Sequence, residues 1–397
     1  MTIKRFISNT IPRGIGFVLF VLMLFCFCVV VFDTRNRIIE YQSQPIISDE
    51  NRLIKIQNIV NQRRRDIEHE MENYEFPNGK FSRNISNLDD LLMERGGRPM
   101  RNILVAGVRT GSSFTSAIIN SHPATFFHAE ILQDFGDIRI RGHRLVDVAI
   151  KNINAFLNCE FDKLRNYLEY SKNEPLAFSM NEVLWQHCKD QRDLCLDPVF
   201  LTKFCRVHPI HMMKINRLPL KYAQLLLDDE NLGVRMILLI RDPRATMQSR
   251  KRLEWCQLSP DSSDPEILCN DMVSDYNVAV KLTKKYPHTF KVVRYEDLSL
   301  DPQHKAKEMF EFYGLNFHSN VEKFLETHTK NNSGDSYSSF RDSKKAPVHW
   351  RNEMNFTEVE EIQRVCSTAM KLWGYVLAVN ETHQKEFNPI VDNYRPF

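Results

Sequence analysis

The sequence predicts an α/β protein, a P-loop-like three-layer sandwich with a central parallel sheet, preceded by one transmembrane helix and a stem. Two apolar runs, residues 103–106 and 235–240, have the length and composition of buried parallel strands. Each run passes into a polar loop and then into a stretch with helical spacing. This repeated strand, loop and helix pattern is typical of folds that bind ligands at the carboxyl ends of their strands.

The first loop has the sequence Arg-Thr-Gly-Ser-Ser-Phe at residues 109–114. Gly111 lets the backbone approach an anion closely, while Ser112 and Ser113 can cap a helix that begins near Phe114. Free N–H groups at a helix start, beside the cationic Arg109, favour a phosphate or sulfate. Without further support, a Gly/Ser turn after a strand is more often only a turn.

The second loop, after the run 235–240, begins Arg-Asp-Pro-Arg. Pro243 suits the first turn of a helix, which places Arg241 at the carboxyl end of the strand. Ser249 and Arg250 follow two turns along that helix. A solvated helix start with a local salt bridge is the alternative. Two such loops in one chain favour an anion site formed by both strand ends.

Composition limits the classes of partner. The chain has 397 residues, 43% of them hydrophobic, and a formal net charge of +3. It can therefore bury a substantial core, and its near-neutral charge gives no case for nucleic-acid binding. The cysteines lack the close paired spacing of a zinc site, so we expect no metal. Disulfides are the better interpretation, and short separation predicts Cys188–Cys195 and Cys256–Cys269.

Five segments are predicted along the chain. Residues 14–32 are uncharged, long enough to span a bilayer and preceded by basic residues, which predicts a signal-anchor with residues 1–13 as a cytoplasmic tail. A cleaved signal peptide is the alternative. Residues 33–98 are polar and are predicted to be a stem, 99–380 a catalytic domain, and 381–397 a C-terminal tail.

The stem contains apolar residues at helical spacing between residues 53 and 60, which predicts an amphipathic helix. Such a helix could join two copies as a homodimer, or it could simply be solvated. Four glycosylation sequons begin at Asn84, Asn331, Asn355 and Asn380. Together with the cysteines they indicate a secretory-pathway lumen.

Further elements are predicted around the two loops. Residues 124–127 and 290–295 are expected to be strands, and the intervals 146–170, from 302 onward and 358–375 are expected to be helical. The cysteine-bearing stretch 188–205 is predicted to be an irregular insertion. Polar residues follow the strand at 124–127, namely His128 and Glu130.

The two loops together resemble those of the Golgi carbohydrate sulfotransferases, over residues 101 to about 376. Residues 109–114 resemble the family's 5′-phosphosulfate loop, and Arg241 through Ser249 and Arg250 resemble its 3′-phosphate segment. Residues 293–298 and Trp350 with Arg351 are further family-like stretches. The resemblance is closest to the branch that sulfates galactose, N-acetylglucosamine or N-acetylgalactosamine at the 6-hydroxyl.

The resemblance implies a function and a set of site residues. It implies transfer of a sulfuryl group from 3′-phosphoadenosine 5′-phosphosulfate (PAPS) to a sugar hydroxyl on glycoprotein or glycosaminoglycan chains, by a single-pass type II protein of the Golgi membrane. Lys214 and Arg217 resemble a basic pair that the family keeps. The residues implied in holding the co-substrate are Arg109, Thr110, Gly111, Ser112, Ser113, Phe114, Arg241, Ser249, Arg341, Ser343 and Trp350.

Catalysis also needs charge stabilisation and a base for the hydroxyl. Arg109 can provide the first, and Glu130 is the first candidate for the second because it follows the second strand. Where the family commonly has Phe-Glu-Pro, this chain has Ala-Glu-Ile. His128 and His143 are alternative bases, with an ordinary pKa closer to neutral pH. Glu130 could also do no more than pair with an arginine.

Other functions fit the sequence less well. A nucleoside-triphosphate-dependent kinase would need a lysine directly after the loop glycine, where this chain has serine. A sulfotransferase acting on another acceptor, such as protein tyrosine, and an inactive glycan-binding protein of the Golgi stay open as alternatives.

Overall fold

The computed structural model describes residues 49–75, 85–331, 333, 338–392 and 394. From Ile59 onward these residues form one compact unit; residues 49–58 belong to a separate unit. The predicted cytoplasmic tail and transmembrane segment, residues 1–32, lie outside the described residues. Among the helices that are described, none has both the length and the apolar character needed to cross a membrane.

Five parallel strands form the centre of the compact unit. They are β1 (Met100–Ala106), β2 (Thr125–His128), β3 (Ile210–Ile215), β4 (Arg235–Ile240) and β5 (Phe290–Arg294), in the order β2-β3-β1-β4-β5. Ile103 of β1 pairs with Met213 on one side and with Met236 on the other. Strands β1 to β4 are buried at every position, as parallel strands covered on both faces must be. The predicted α/β class with a central parallel sheet is confirmed.

Helices fill the connections between these strands. In chain order they are α1 (Asp49–Glu70), α2 (Ser112–Asn120), α3 (His143–Leu157), α4 (Arg165–Ser171), α5 (Leu176–Ser179), α6 (Glu182–Cys188), α7 (Arg192–Cys195), α8 (Pro198–Arg206), α9 (Leu220–Asp228), α10 (Pro243–Lys251), α11 (Glu254–Leu258), α12 (Pro260–Ser263), α13 (Pro265–Lys285), α14 (Tyr295–Leu300), α15 (Pro302–Tyr313), α16 (Ser319–His328), α17 (Trp350–Glu353), α18 (Phe356–Leu372) and α19 (Glu381–Glu386). Short 3-10 turns occupy Leu88–Leu91, Met93–Arg95, Gln133–Phe135 and Phe161–Lys163.

Strand β3 was not predicted, although it lies between β2 and β1 in the sheet. Its apolar run is interrupted by His211 and Lys214, both buried. Two polar side chains in six residues hide the continuous apolar pattern that marks a buried parallel strand. The cysteine-bearing stretch before it is also not irregular, because it contains α6, α7 and α8.

The compact unit extends beyond the predicted domain, residues 99–380, at both ends. In the second half of α1, Ile67 is buried and the buried Arg63 donates from Nε to Nε2 of His208 over 3.0 Å. Part of the predicted stem therefore packs into the unit. In the predicted C-terminal tail, Ile390 forms an antiparallel bridge with Tyr375. A homodimer formed through the stem stays a prediction.

Three disulfides lie within the described residues of the compact unit: Cys159–Cys205, Cys188–Cys195 and Cys269–Cys366. The predicted Cys188–Cys195 bond is confirmed. The predicted Cys256–Cys269 bond is wrong, because Cys269 pairs with Cys366 and Cys256 is a buried free thiol. Cys269 lies on the 21-residue helix α13, which packs against α18, so the partner that is near in space is far in sequence.

Candidate active site

The carboxyl ends of the strands open into a cavity of about 780 Å³. Its walls include residues that follow β1, β2, β3 and β4, as expected for a parallel sheet. Most of the residues implied for the site meet there. The charged and loop residues that line it include Arg109, Gly111, Ser112, Ser113, Glu130, Lys214, Arg217, Arg241, Ser249, Arg252, Arg341 and Lys345.

Gly111 sets the shape of the first loop. Its φ is 93°, in the left-handed region, and it precedes the first residue of α2. A Cβ at this position would come within 2.3 Å of the Tyr295 ring. Only glycine both adopts this positive φ without strain and leaves room for the Tyr295 ring. The loop can therefore lie close against Tyr295, with the first N–H groups of α2, on Ser112 and Ser113, at the cavity wall.

Arg109 connects the first loop to the second. Its φ of 66° is unusual for a residue with a side chain, and such strain often marks functional loops. Its Nε donates to Oγ of Ser249, at 3.0 Å, and its carbonyl oxygen accepts from Nη1 of Arg241, at 3.1 Å. The two segments predicted to bind anions are thus in direct contact.

Arg241 is only 5% exposed, yet no carboxylate pairs with it among the described residues. It donates to the carbonyls of Arg109 and Ala346 and lies over the Tyr295 ring, with 4.7 Å from Cζ to the ring centroid. Its buried Nε has no hydrogen-bond partner among the described residues. A buried guanidinium without a salt-bridge partner suits an anionic ligand.

Arg341 approaches the same tyrosine from another side. Its Nη1 donates to the Tyr295 hydroxyl at 3.1 Å, its Cζ lies 5.1 Å from the Phe114 ring centroid, and its buried Nε also lacks a partner in the described part of the chain. Burial by itself would raise the pKa of Tyr295, but Arg341 and Arg241 outweigh burial and lower that pKa. The pKa of Tyr295 therefore reports a positive field at this end of the cavity.

Arg244, the second arginine of the Arg-Asp-Pro-Arg sequence, has a structural role. It is fully buried, pairs with Asp242 at 2.7 Å and lies over the ring of Trp350, with 4.3 Å from Cζ to the centroid. Asp242 also caps α10 by accepting from the N–H of Arg244. These contacts fix the start of α10 and hence the position of Arg241.

Glu130 lies at the other side of the cavity, in an ionic cluster. Its carboxylate accepts from Nζ of Lys214 at 2.6 Å, from Nη1 of Arg217 at 3.0 Å and from Nδ2 of Asn216 at 3.2 Å. Burial raises its pKa, but Lys214 and Arg217 outweigh burial and lower it to about 2. The carboxylate is therefore ionised at every physiological pH. Its φ of 46° is a second left-handed non-glycine conformation at the site.

Neither histidine considered as a base lines this cavity. His128 is 3% exposed and packs in the core, with its Nε2 3.4 Å from Nδ1 of His211. Burial, helped by Arg101, lowers its pKa to about 3. It is the last residue of the buried strand β2, and its ring packs against the ring of Phe156. His143 is exposed at the start of α3.

Four of the residues implied in co-substrate binding also do not line the cavity. Thr110 donates to the carbonyl of Gly107, Phe114 lies buried beneath Arg341, and Trp350 is buried against Arg244. Ser343 is buried, and its N–H donates to the carbonyl of Thr329. These residues support the site by packing and turn formation.

Tyr295 and one wall of the cavity were not predicted as parts of the site, although residues 293–298 were identified as a family-like stretch. Tyr295 follows β5 directly, at the same kind of strand end as Arg241. The wall comprises residues from the α4 to α5 region, among them Tyr170, Glu174 and Met180. Their spacing resembles any surface helix, and no local signal points to the cavity.

Comparisons with known proteins agree with this arrangement. The family model described as Sulfotransferase domain matches residues 100–374. The chain is similar to Carbohydrate sulfotransferase 3 from Mus musculus, with 30% identity over 212 residues, covering 48% of this chain and 44% of that protein. It is also similar to Carbohydrate sulfotransferase 3 from Homo sapiens, with 28% identity over 328 residues, covering 70% and 68%.

A third relative is Carbohydrate sulfotransferase 1 from Mus musculus, with 23% identity over 354 residues, covering 74% of this chain and 84% of that protein. The match to the mouse Carbohydrate sulfotransferase 3 spans less than half of that relative's length. The Sulfotransferase domain match spans more than half of this chain and contains every strand of the sheet. The chain therefore belongs to the sulfotransferase family, in its carbohydrate sulfotransferase group.

Proposed function

We propose that this protein transfers a sulfuryl group from PAPS to a sugar hydroxyl, the 6-hydroxyl of galactose, N-acetylglucosamine or N-acetylgalactosamine. The main support for the proposal is that the two loops suited to anions, after β1 and after β4, line one cavity. The hydrogen bond from Arg109 to Ser249 connects them. Family membership supports the same reaction.

The residues present fit a nucleotide that carries two anionic groups, the 3′-phosphate and the 5′-phosphosulfate. The Nε atoms of Arg241 and Arg341 have no hydrogen-bond acceptor within the described residues. Gly111 has no Cβ to collide with the Tyr295 ring, so the loop can pass close to it. Arg109 and the N–H groups of Ser112 and Ser113 would hold its 5′ end. Arg241 and Ser249 would hold the 3′-phosphate, which suits the fork of a guanidinium.

The chemistry divides between two sides of the cavity. When bound, PAPS supplies an activated sulfuryl group. Lys214, 2% exposed, holds its positive charge next to the reacting centre and would stabilise negative charge on the oxygens there. Glu130 would take the proton from the acceptor hydroxyl. Arg217 fixes Glu130 from the far side, because its other donors are held by Asp137 and the carbonyl of Gly136.

The location we propose is the Golgi membrane, with residues 14–32 as a single-pass signal-anchor and the catalytic unit in the lumen. The exposed Asn355 and Asn380 support this, because both begin sequons and cap helices with Oδ1. Each Nδ2 is then available for a glycan. Loss of mass on treatment with an amide-cleaving glycosidase would test lumenal exposure; an unmodified protein would contradict it.

Transfer of labelled sulfate tests the function. Purified protein, labelled PAPS and a panel of oligosaccharides should give label at a sugar 6-hydroxyl, located by fragmentation. A tyrosine peptide in the same panel tests the alternative acceptor. Label on the peptide alone would overturn the sugar acceptor, and no label on any acceptor would overturn the activity.

A further inference from the structure

The strand order separates the two ends of the cavity. Glu130 follows the edge strand β2, and Arg241 follows β4, three strands away in the order β2-β3-β1-β4. Three inter-strand spacings amount to about 14 Å. The anion-binding loops after β1 and β4 occupy one end, which we call the donor end. The other end, beyond β3 and β2, is left for the acceptor.

The donor end is cationic. Its lining carries five cationic side chains, namely Arg109, Arg241, Arg252, Arg341 and Lys345. The carboxylate of Glu353 is shared by Arg252, at 2.6 Å, and by the His349 ring, at 3.0 Å, and Lys345 pairs with Asp342 at 3.1 Å. Five cations against two carboxylates leave this end with a positive excess that suits the charges of the nucleotide.

The acceptor end is closed by the segment from α4 to the start of α6. Two hydrogen bonds fix this segment to the β2 side: Gln133 Nε2 donates to Ser171 Oγ at 3.0 Å, and Asn181 Nδ2 donates to the carbonyl of Phe127 at 3.0 Å. The segment contributes four lining residues to the cavity: Tyr170, Glu174, Leu176 and Met180. Tyr170 and Leu176 are 40% and 41% exposed, so both present apolar surface to the cavity.

The charges at the acceptor end do not balance. The two cations, Lys214 and Arg217, are matched by Glu130 and Asp137, the latter bonded to Arg217 at 3.0 Å. Glu174 is exposed, and no cation pairs with its carboxylate within the described part of the chain. It therefore adds an uncompensated negative charge to the cavity wall.

We infer that Glu174 and its apolar neighbours select an uncharged sugar as acceptor and disfavour chains that carry carboxylates. The inference rests on the proposed function. The exposed faces of Tyr170, Leu176 and Met180 offer a surface for the C–H face of a pyranose ring, while Glu174 accepts a hydrogen bond from a sugar hydroxyl. The carboxylate of a uronate placed on this wall would be repelled by the carboxylate of Glu174. Repulsion between like charges disfavours binding of the wrong partner.

The experiment compares two acceptors with the same protein: an unsulfated N-acetyllactosamine oligosaccharide and desulfated chondroitin, which carries a glucuronate in every disaccharide. The wild type should give a kcat/KM at least about tenfold higher on the neutral acceptor, and the preference should fall as salt screens the wall. Glu174→Gln should lower the preference about tenfold by reducing KM for chondroitin, and Glu174→Lys should lower it further.

Glu169→Gln is the matched control. Glu169 lies on α4 next to the wall, is exposed, and pairs with Lys172 without lining the cavity. Its removal should leave the preference unchanged. Equal or faster labelling of chondroitin by the wild type, or an unchanged preference in both Glu174 variants, would overturn the inference alone. Labelling of neither acceptor would overturn the proposed function with it.

Discussion

Nε of Arg109 donates to Oγ of Ser249 over 3.0 Å, although 140 positions of sequence separate the two residues. The bond joins the loop after β1 to the helix after β4, which are neighbouring strands. The two segments that the sequence marked separately as anion sites are therefore one site. An anion bound by one of the two segments contacts side chains that the other segment holds in place.

Removing either arginine should weaken nucleotide binding. Arg109→Ala and Arg241→Ala should each cost about 1.5–3 kcal/mol in affinity for 3′-phosphoadenosine 5′-phosphate, the range for hydrogen bonds to charged groups. Titration calorimetry on the purified protein measures this directly. Arg206→Ala, an exposed change on α8, is the control. Wild-type affinity in both cavity variants would place the nucleotide elsewhere.

Gly111→Ala should damage the site beyond its effect on stability. Its methyl group would meet the Tyr295 ring at 2.3 Å, with the backbone at a φ of 93°. Gly96→Ala is a matched control, because Gly96 has a φ of 82° and a ψ of 3°, close to the 93° and 11° of Gly111, and nothing lies within 4 Å of an added Cβ. Both variants should lose about 1 kcal/mol of folding stability to backbone strain. Only Gly111→Ala should also lose nucleotide affinity, by about tenfold or more; equal affinities would refute the close contact.

Glu130→Gln should spare donor affinity and slow transfer by about 10²–10⁴-fold, the usual contribution of a general base. Because the pKa of Glu130 is lowered to about 2, kcat of the wild type should not fall between pH 8 and pH 6. A histidine base would lose activity across that interval as it takes up a proton. His143→Ala should leave kcat unchanged. Normal turnover by Glu130→Gln would contradict a role of the Glu130 carboxylate in the chemical step.

Acid should destabilise the fold through buried histidines. Burial lowers the pKa of His122 and His128 to about 3, and it holds the pKa values of His208 and His211 well below the ordinary value. Below about pH 6.5 these histidines bind protons in the unfolded chain but stay unprotonated in the folded state. The free energy of unfolding therefore decreases as the pH is lowered. Between pH 6.5 and pH 5.5 the unfolded imidazole goes from half to almost fully protonated, so each histidine contributes about 1 kcal/mol over that interval.

Glu296 acts in the opposite direction. Burial and the nearby Asp242 raise its pKa to about 7, so the folded state keeps a proton that the unfolded chain releases. This offsets one of the four histidines, leaving a net loss of about 3 kcal/mol between pH 6.5 and pH 5.5. Urea unfolding at the two pH values measures it. His128→Phe should reduce the loss by about 1 kcal/mol, whereas the exposed His288→Gln should not. Equal stability at both pH values would contradict this assignment.

The sequence was most informative where local chemistry is distinctive. The apolar runs of β1 and β4 and their polar loops predicted the strands, the parallel sheet and the meeting of Arg109, Gly111, Arg241 and Ser249 at one edge. The polar residues after β2 likewise pointed to Glu130, which lines the same cavity.

The sequence failed where partners come together only through tertiary packing. Strand β3 was hidden because its buried His211 and Lys214 find their partners on other elements, His128 and Glu130. Cys269 pairs across two long helices with Cys366, against the rule of short separation. His128 looked like a base on spacing alone, and only the fold shows that its ring is buried in the core.

The central claim, that one cavity holds the donor at both strand ends, is tested most directly by a crystal structure of the protein with 3′-phosphoadenosine 5′-phosphate. The 5′-phosphate should accept from the N–H groups of Ser112 and Ser113, and the 3′-phosphate should contact Arg241 and Ser249. Nucleotide bound at any other place, with this cavity empty, would contradict the account.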